Sequence, residues 1–376
     1  MNKKIIEQIN SHNKILKDYA TKDQDAIYLK EVNDDIRPAF FHDIDRIIYA
    51  LSFMRYQDKT QVFARSMHAH VSKRMIHVQF VSKIARTIGR ALGLNEDLIE
   101  AASLGHDLGH TPFGHVGESI LNKISLKHNA GYFNHNIESV RVLKNIENYG
   151  KGLNVSVQVL DAIMCHNGEI LEGKYEPIKK DSQVFLAEYE ACYEDKTKLL
   201  KLKPMTLEGC VVRISDLIAY IGRDIDDAIR YNIIKREDIP ENITRDLGRT
   251  TREIVNTCIL DVINNSFDKN YIKLSDNVFK AINDLKNFNY QSIYNNSLSK
   301  DEKETLQKQF EKLFDTYLED ININNEASPI ICSYLNNMSE EYKNNTDRVR
   351  IVIDYIAGMT DSFLIKEYER IMGDKS

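Results

Sequence analysis

Tryptophan is absent from this 376-residue chain, and only six prolines and sixteen glycines interrupt it. With so few breakers, long segments are free to carry one regular pattern without punctuation. No apolar run reaches the length of a membrane span, and the start, MNKKIIEQINSHNK, lacks the apolar core of a signal peptide. Cysteine is sparse as well: Cys165, Cys192, Cys210, Cys258 and Cys332 are scattered, odd in number and form no CxxC pair. That pattern points to reduced thiols in a cytosol rather than a disulfide frame or a zinc–thiolate site. The formal charge of −6 argues against a molecule dominated by a nucleic-acid or membrane-surface field, although a local basic groove is compatible with it. A cytoplasmic location with no membrane partner is the expectation. What the chain has is ordinary for a soluble globular protein, with 42% hydrophobic and 28% charged residues and length enough for a sizeable core.

Apolar residues recur at helical spacing, and alternating strand patterns are scarce. Between Arg74 and Leu92, the residues Ile76, Phe80, Ile84, Ile88 and Ala91 mark one stripe, with Gly93 placed to end the helix. Asn95 is then positioned to cap a second helix whose first turn carries Glu96 and Asp97. Segments 136–148, 153–166, 208–231, 249–265, 302–319 and 347–371 also read as helices. The Asn- and Lys-rich stretch 264–303 reads as short helices joined by loops. The fold class is all-α. The organisation expected is a helical segment over 1–35, a core over 36–235, and a C-terminal helical region over 236–376 that packs on the core or serves assembly.

Nine of the eleven histidines fall between His68 and His166. His77 shares a helix face with Val81 and Ile84 and so points inward. His106 and Asp107 are adjacent where Gly109 and Pro112 break a helix, and Asp216 comes from a distant helix. Imidazoles and carboxylates suit Mn, Fe, Co, Zn or Mg, and a set of two of each leaves positions open for water and phosphate. Any one of these histidines alone reads more readily as a hydrogen-bonded core or surface residue; the argument rests on the combination. Asp216, Tyr220 and Asp224 lie at i, i+4 and i+8 on one face. Such a stripe is either a solvated face or the lining of a cavity, and spacing alone leaves both open.

Four blocks go further. They are Asp43–Ile48 with Phe53–Phe63; Arg74–His77; the run Gly93–Glu118 containing HDLGHTPFGH; and Phe133–Arg141 with His166–Gly168 and Asp216–Asp227. In order and spacing they resemble the bacterial deoxyguanosine triphosphate triphosphohydrolases and related HD-domain dNTP hydrolases over residues 37–230. The resemblance implies an HD-domain helical fold with added C-terminal helices. It implies one divalent metal, Mn²⁺ or Mg²⁺ foremost with Fe, Co, Ni or Zn as alternatives, held by His77, His106, Asp107 and Asp216. His110 and His115 would face a triphosphate, Glu118 would orient a catalytic histidine, and His135 would complete the acid–base group. Arg74 would clamp phosphate, Gln57 and Asp224 would read the 3′-hydroxyl, and Tyr220 would approach the sugar C2′ and exclude ribose.

The reaction so implied is hydrolysis of a deoxynucleoside triphosphate to deoxynucleoside and inorganic triphosphate. Water attacks the α-phosphorus, with His115 protonating the leaving 5′-oxygen or else managing the proton of the attacking water. The resemblance further implies a homo-oligomer (dimer, tetramer or hexamer) and a nucleotide activator or single-stranded DNA as regulators, the latter unsupported by the net charge. Three departures stand out: Met75, Ile76 and Val78 flank His77 where relatives often have Thr or Ser, Tyr56 replaces a usual leucine, and Leu217 stands where some relatives carry a phosphate-binding lysine. Another HD-type nucleotide phosphatase or phosphodiesterase, or a non-catalytic nucleotide sensor, are the competing readings. His115 with Glu118 weighs against a sensor, since a pure binder has no use for an acid–base pair.

Overall fold

A computed structural model describes residues 3–33, 35–61, 73–167, 171–294 and 298–373, so that Phe63 and Gly168 of the blocks above lie outside the described residues. In chain order its helices are α1 (Lys3–Ile9), α2 (Ala39–Ile48), α3 (Leu51–Arg55), α4 (Arg74–Leu92), α5 (Glu96–Gly105), α6 (Gly114–Lys127), α7 (His135–Arg141), the single turn α8 (Glu147–Gly150) and α9 (Val157–Met164). There follow α10 (Ser182–Glu194), α11 (Lys196–Leu199), α12 (Leu207–Arg230), α13 (Glu241–Leu247), α14 (Thr251–Ser266), α15 (Asp276–Ser292), α16 (Lys300–Ile323), α17 (Glu340–Asn345), α18 (Arg348–Ala357) and α19 (Asp361–Gly373). The only sheet among the described residues is a two-residue antiparallel pair, Lys174–Tyr175 with Ile272–Lys273. The class is all-α.

Local chemistry sets the helix ends nearest the site. Gly93 terminates α4 at φ +69°, a left-handed conformation that costs glycine nothing. The Asn95 side chain accepts from the backbone N–H of Asp97 at 3.1 Å and of Leu98 at 3.4 Å, and so caps α5. Helices α4, α5 and α12 pack against one another, with α2 and α9 against α5, and bury one continuous apolar core.

Several expectations are corrected. The buried face of α4 carries His77, Val78, Val81, Ile84, Ala85, Ile88 and Leu92, whereas Ile76 and Phe80 are exposed. Polar His77 occupies an inward position, so a stripe drawn from apolar residues alone is rotated about the helix; Phe80 instead lies under the Arg223 guanidinium. Helix 347–371 is two helices, broken at Gly358–Thr360, and the helix expected over 136–148 passes into a π-turn at Val142–Ile146. Stretch 264–303 carries the 17-residue helix α15, whose buried face of Val278, Ala281, Ile282 and Leu285 was masked by its Asn and Lys residues. Among the described residues of the first 35, α-helix covers Lys3–Ile9, followed by 3₁₀ turns at Asn10–Ile15 and Asp23–Asp25.

The C-terminal helices are joined to the core by buried polar contacts. Arg141 of α7 meets Asp354 of α18 through Nε and Nη2, both at 2.7 Å, and the Tyr342 hydroxyl donates to the same carboxylate at 2.6 Å. Asp354→Ala would leave a buried guanidinium without its carboxylate, so chemical denaturation should report a loss of about 3–5 kcal/mol. A loss below about 1 kcal/mol would mean that this contact contributes nothing beyond a surface ion pair.

Candidate active site

Three helices bring the two carboxylates together. α4 carries His77, the end of α5 presents His106 and Asp107, and α12 contributes Asp216, all buried. His77 Nε2 lies 3.0 Å from Asp216 Oδ1 and 3.8 Å from Asp107 Oδ2; His106 Nε2 lies 3.3 Å from Asp107 Oδ1 and 3.6 Å from Asp216 Oδ1. Adjacent residues 106 and 107 both reach this point because α5 stops at Gly105 and the chain turns. Close packing of α7 demands that turn: a Cβ on Gly109 would lie 2.2 Å from Ser139 N. The Ser139 hydroxyl accepts from Gly109 N at 2.8 Å and donates to His106 O at 2.6 Å.

The donors fit a divalent cation. His106 Nδ1 faces Ser103 O at 2.7 Å, which leaves Nε2 as the ligating nitrogen, and that atom is buried without a hydrogen-bond partner. Burial would lower the pKa of His106, but Asp107 and Asp216 raise it to about 9. For Asp107, burial would act upward, yet His106, Arg74 and His110 hold it well below the usual carboxylate range. Two buried anions thus demand positive charge between them. A proton on His106 meets that demand, and so does a metal ion taking the proton's place.

Beside this set stands a second one. Glu118 Oε2 is 2.9 Å from His115 Nδ1, and Oε1 is 2.9 Å from His135 Nδ1 and accepts from the His135 backbone N–H at 2.8 Å. Burial opposes ionisation of Glu118, but His135 and His115 hold it well below the normal carboxylate value. His110 stacks on His135 with ring centroids 3.9 Å apart, and its Nε2 lies 3.3 Å from Asp107 Oδ1. The side chain of His115 is 60% exposed, which opens this end of the cluster to a ligand. Buried Asp224 accepts 2.6 Å from the Tyr294 hydroxyl, and Tyr220 lies half-buried one turn before it. Burial pushes Asp224 up to about 7 against that hydrogen bond.

One placement differs from the sequence reading. Gln57 is exposed on the one-turn helix Tyr56–Asp58, because Tyr56 takes the inward position, and the structure does not bring Gln57 to the cluster. Gln61 carries the buried, unpartnered side-chain oxygen instead, and its main chain packs at Gly114 beside Arg74. Arg74 is buried on Asp107, with Nη2 donating to Thr60 O at 3.0 Å and Nε unpartnered. His166 had no assigned role. The structure sets its Nε2 3.2 Å from His135 Nε2 and 3.9 Å from Asp107 Oδ1. The signal was a histidine just past a fully buried helix. A separate cavity of about 900 Å³, lined by Arg37, Arg46, Arg55, Tyr149 and Phe363 among others, contains none of these residues.

Residues 74–221 match the HD domain family, and residues 272–370 match the phosphohydrolase-associated domain. The chain is 39% identical to the deoxyguanosinetriphosphate triphosphohydrolase-like protein of Caldanaerobacter subterraneus subsp. tengcongensis, over 95% of this chain and 92% of that one. Proteins of the same description from Clostridium tetani and Rickettsia conorii are 35% and 31% identical, over 98% and 91% of this chain and 95% and 93% of theirs. No helix among the described residues is long and apolar enough to cross a membrane.

If the two-His, two-Asp set takes a metal ion, Mn²⁺ at about a hundred times its Kd should stabilise the fold by about 2.7 kcal/mol. Calorimetry or thermal melting should record that gain in the wild type and lose it in Asp216→Ala; an equal gain in the variant would place the ion elsewhere.

Proposed function

This chain belongs to the HD-domain family of deoxyguanosinetriphosphate triphosphohydrolase-like proteins, and on that footing we propose that it hydrolyses deoxynucleoside triphosphates to deoxynucleoside and inorganic triphosphate. The arrangement that carries the reading is a two-His, two-Asp set beside a carboxylate that grips two imidazoles. Phosphate ester hydrolysis needs positive charge on the phosphoryl oxygens and a proton for the leaving oxygen, and the two groups answer those needs separately.

His77, His106, Asp107 and Asp216 would hold the cation, with Mn²⁺ or Mg²⁺ best suited to substrate phosphates. Such an ion withdraws charge from a phosphoryl oxygen when bound. Arg74, with its unpartnered Nε, and His110 are assigned to the triphosphate oxygens. A water oxygen bonds to the α-phosphorus and gives up a proton to the His135–Glu118 relay, while the bond from phosphorus to the 5′-oxygen breaks. His115 delivers its Nε2 proton to that departing oxygen. Glu118 holds His115 Nδ1 and steadies the imidazolium, while His135, gripped by the other oxygen of Glu118 and touching His166, completes the relay. Along α12, Tyr220 and Asp224 would face the sugar, with Gln61 taking the part first expected of Gln57.

Incubating the purified chain with Mn²⁺ and each dNTP, singly and mixed, tests the reaction. Anion-exchange chromatography should show triphosphate and deoxynucleoside in equal amounts; pyrophosphate or orthophosphate as first product would point to another HD-type phosphohydrolase. Glu118→Gln keeps shape but removes the charge that supports the imidazolium, so kcat should fall about 10²–10⁴-fold with KM little changed. Unchanged kcat would remove Glu118 from the chemistry.

A further inference from the structure

Beyond the HD match, the region matched as phosphohydrolase-associated returns one side chain to the polar edge of α12. Tyr294 follows the end of α15, and its hydroxyl donates to Asp224 Oδ2 at 2.6 Å. Two contacts fix where that hydroxyl can be. Asn289 Nδ2 of α15 donates to Ile221 O of α12 at 2.9 Å, and Ile293, fully buried, locks the end of α15 into the core. Tyr290 meets the Tyr294 ring edge-on with centroids 6.1 Å apart.

Asp224 is almost fully buried, and Tyr294 is its one hydrogen-bond partner among the described residues. With Oδ2 taken and its direction set, Oδ1 is the carboxylate oxygen left to accept from a ligand. Tyr220 lies within electrostatic reach of Tyr294 and shares a face of α12 with Asp224. We infer that Tyr294 is a specificity-determining residue: by fixing the Asp224 carboxylate it makes the site select substrates that carry a sugar 3′-hydroxyl. This rests on the dNTP reading above. It adds that discrimination is built by a residue outside the HD match, about seventy positions downstream of Asp224.

Burial supports this assignment. Asp224 is pushed towards protonation by desolvation and by Asp227 and Asp216, and the phenolic hydrogen bond opposes them. A freely rotating carboxyl would hold a sugar hydroxyl less selectively than one whose direction is fixed by a hydrogen bond. The competing role is mechanical, with Tyr294 merely tying α15 to α12. That role would weaken every substrate alike.

The experiment uses the full chain with Mn²⁺, the dNTP the wild type turns over fastest, and the 2′,3′-dideoxy analogue of that nucleotide. For Tyr294→Phe, which keeps the ring and removes only the hydroxyl, kcat/KM for the dNTP should drop about tenfold, the effect of losing one hydrogen bond to a charged group. The dideoxy substrate should be unaffected, so the wild-type preference narrows by the same factor. Equal losses on both substrates, an unchanged ratio, or a wild type indifferent to the 3′-hydroxyl would each overturn the inference while leaving dNTP hydrolysis standing. A wild type that releases triphosphate from no dNTP would overturn the reading beneath it, and the inference with it. Thermal melting of Tyr294→Phe within a few degrees of wild type supports the inference; a large drop in melting temperature, together with equal losses on both substrates, assigns Tyr294 to packing and overturns it.

Discussion

Asp107 and Asp216 are two carboxylates held in an apolar interior within reach of the same two imidazoles, and the fold around them exists to satisfy that charge. Removing even one such ion from water costs several kcal/mol, so an interior that tolerates two must supply positive partners in fixed places. His77 and His106 approach from two helices, Arg74 lies directly on Asp107, and His110 closes the remaining side. The packing of α4, α5 and α12 is tight because those partners must converge to within hydrogen-bond distances. Charge, rather than apolar patterning, fixes the register of the three central helices.

The same constraint explains the odd backbone of the HDLGHTPFGH run. Asp107 and His110 must face the cluster while His115 and Glu118 begin a new helix in another direction. Phe113 and Gly114 adopt left-handed conformations, φ 61° and 55°, to make that corner, and Phe113 is a costly residue to place there. The Asp361 carboxylate compensates by accepting from Phe113 N and from Thr60 N, both at 2.9 Å. Lys59, fully buried, donates to His110 O and to Ala357 O. Burial pushes its pKa well below the usual lysine value, and among the described residues it donates hydrogen bonds to two carbonyls and forms no ion pair.

Much of this was legible from residues. Gly93 and Asn95 mark a helix stop and start by chemistry that depends on neighbours two or three positions away, and both were readable. His77, His106, Asp107 and Asp216 were readable because such residues are costly to bury without a shared purpose. What escaped was whatever depends on a turn or on distant chain. Gln57 and Gln61 differ by one turn of backbone, and only the course of the chain after Tyr56 decides which points inward. That the Arg74 guanidinium also lies on Asp107 is a contact between distant segments that a sequence cannot show. Tyr294 carries no motif at all; its meaning comes from a partner seventy residues earlier. The exposure of Ile76 and Phe80 shows the same limit at short range, since one inward histidine turned an apparently simple stripe.

Lys59 sits where the ends of the chain meet, with one carbonyl from the histidine turn and one from the last residues of α18. A side chain that bridges two carbonyls transmits displacement as a rivet does, so sliding α18 by an ångström would tug on the backbone of His110. The two family matches, which leave a gap of fifty residues between them, therefore describe stretches of inheritance and not moving parts. Anything that grips the surface of the last two helices, whether another copy of the chain or a small molecule, has a mechanical line to the imidazoles.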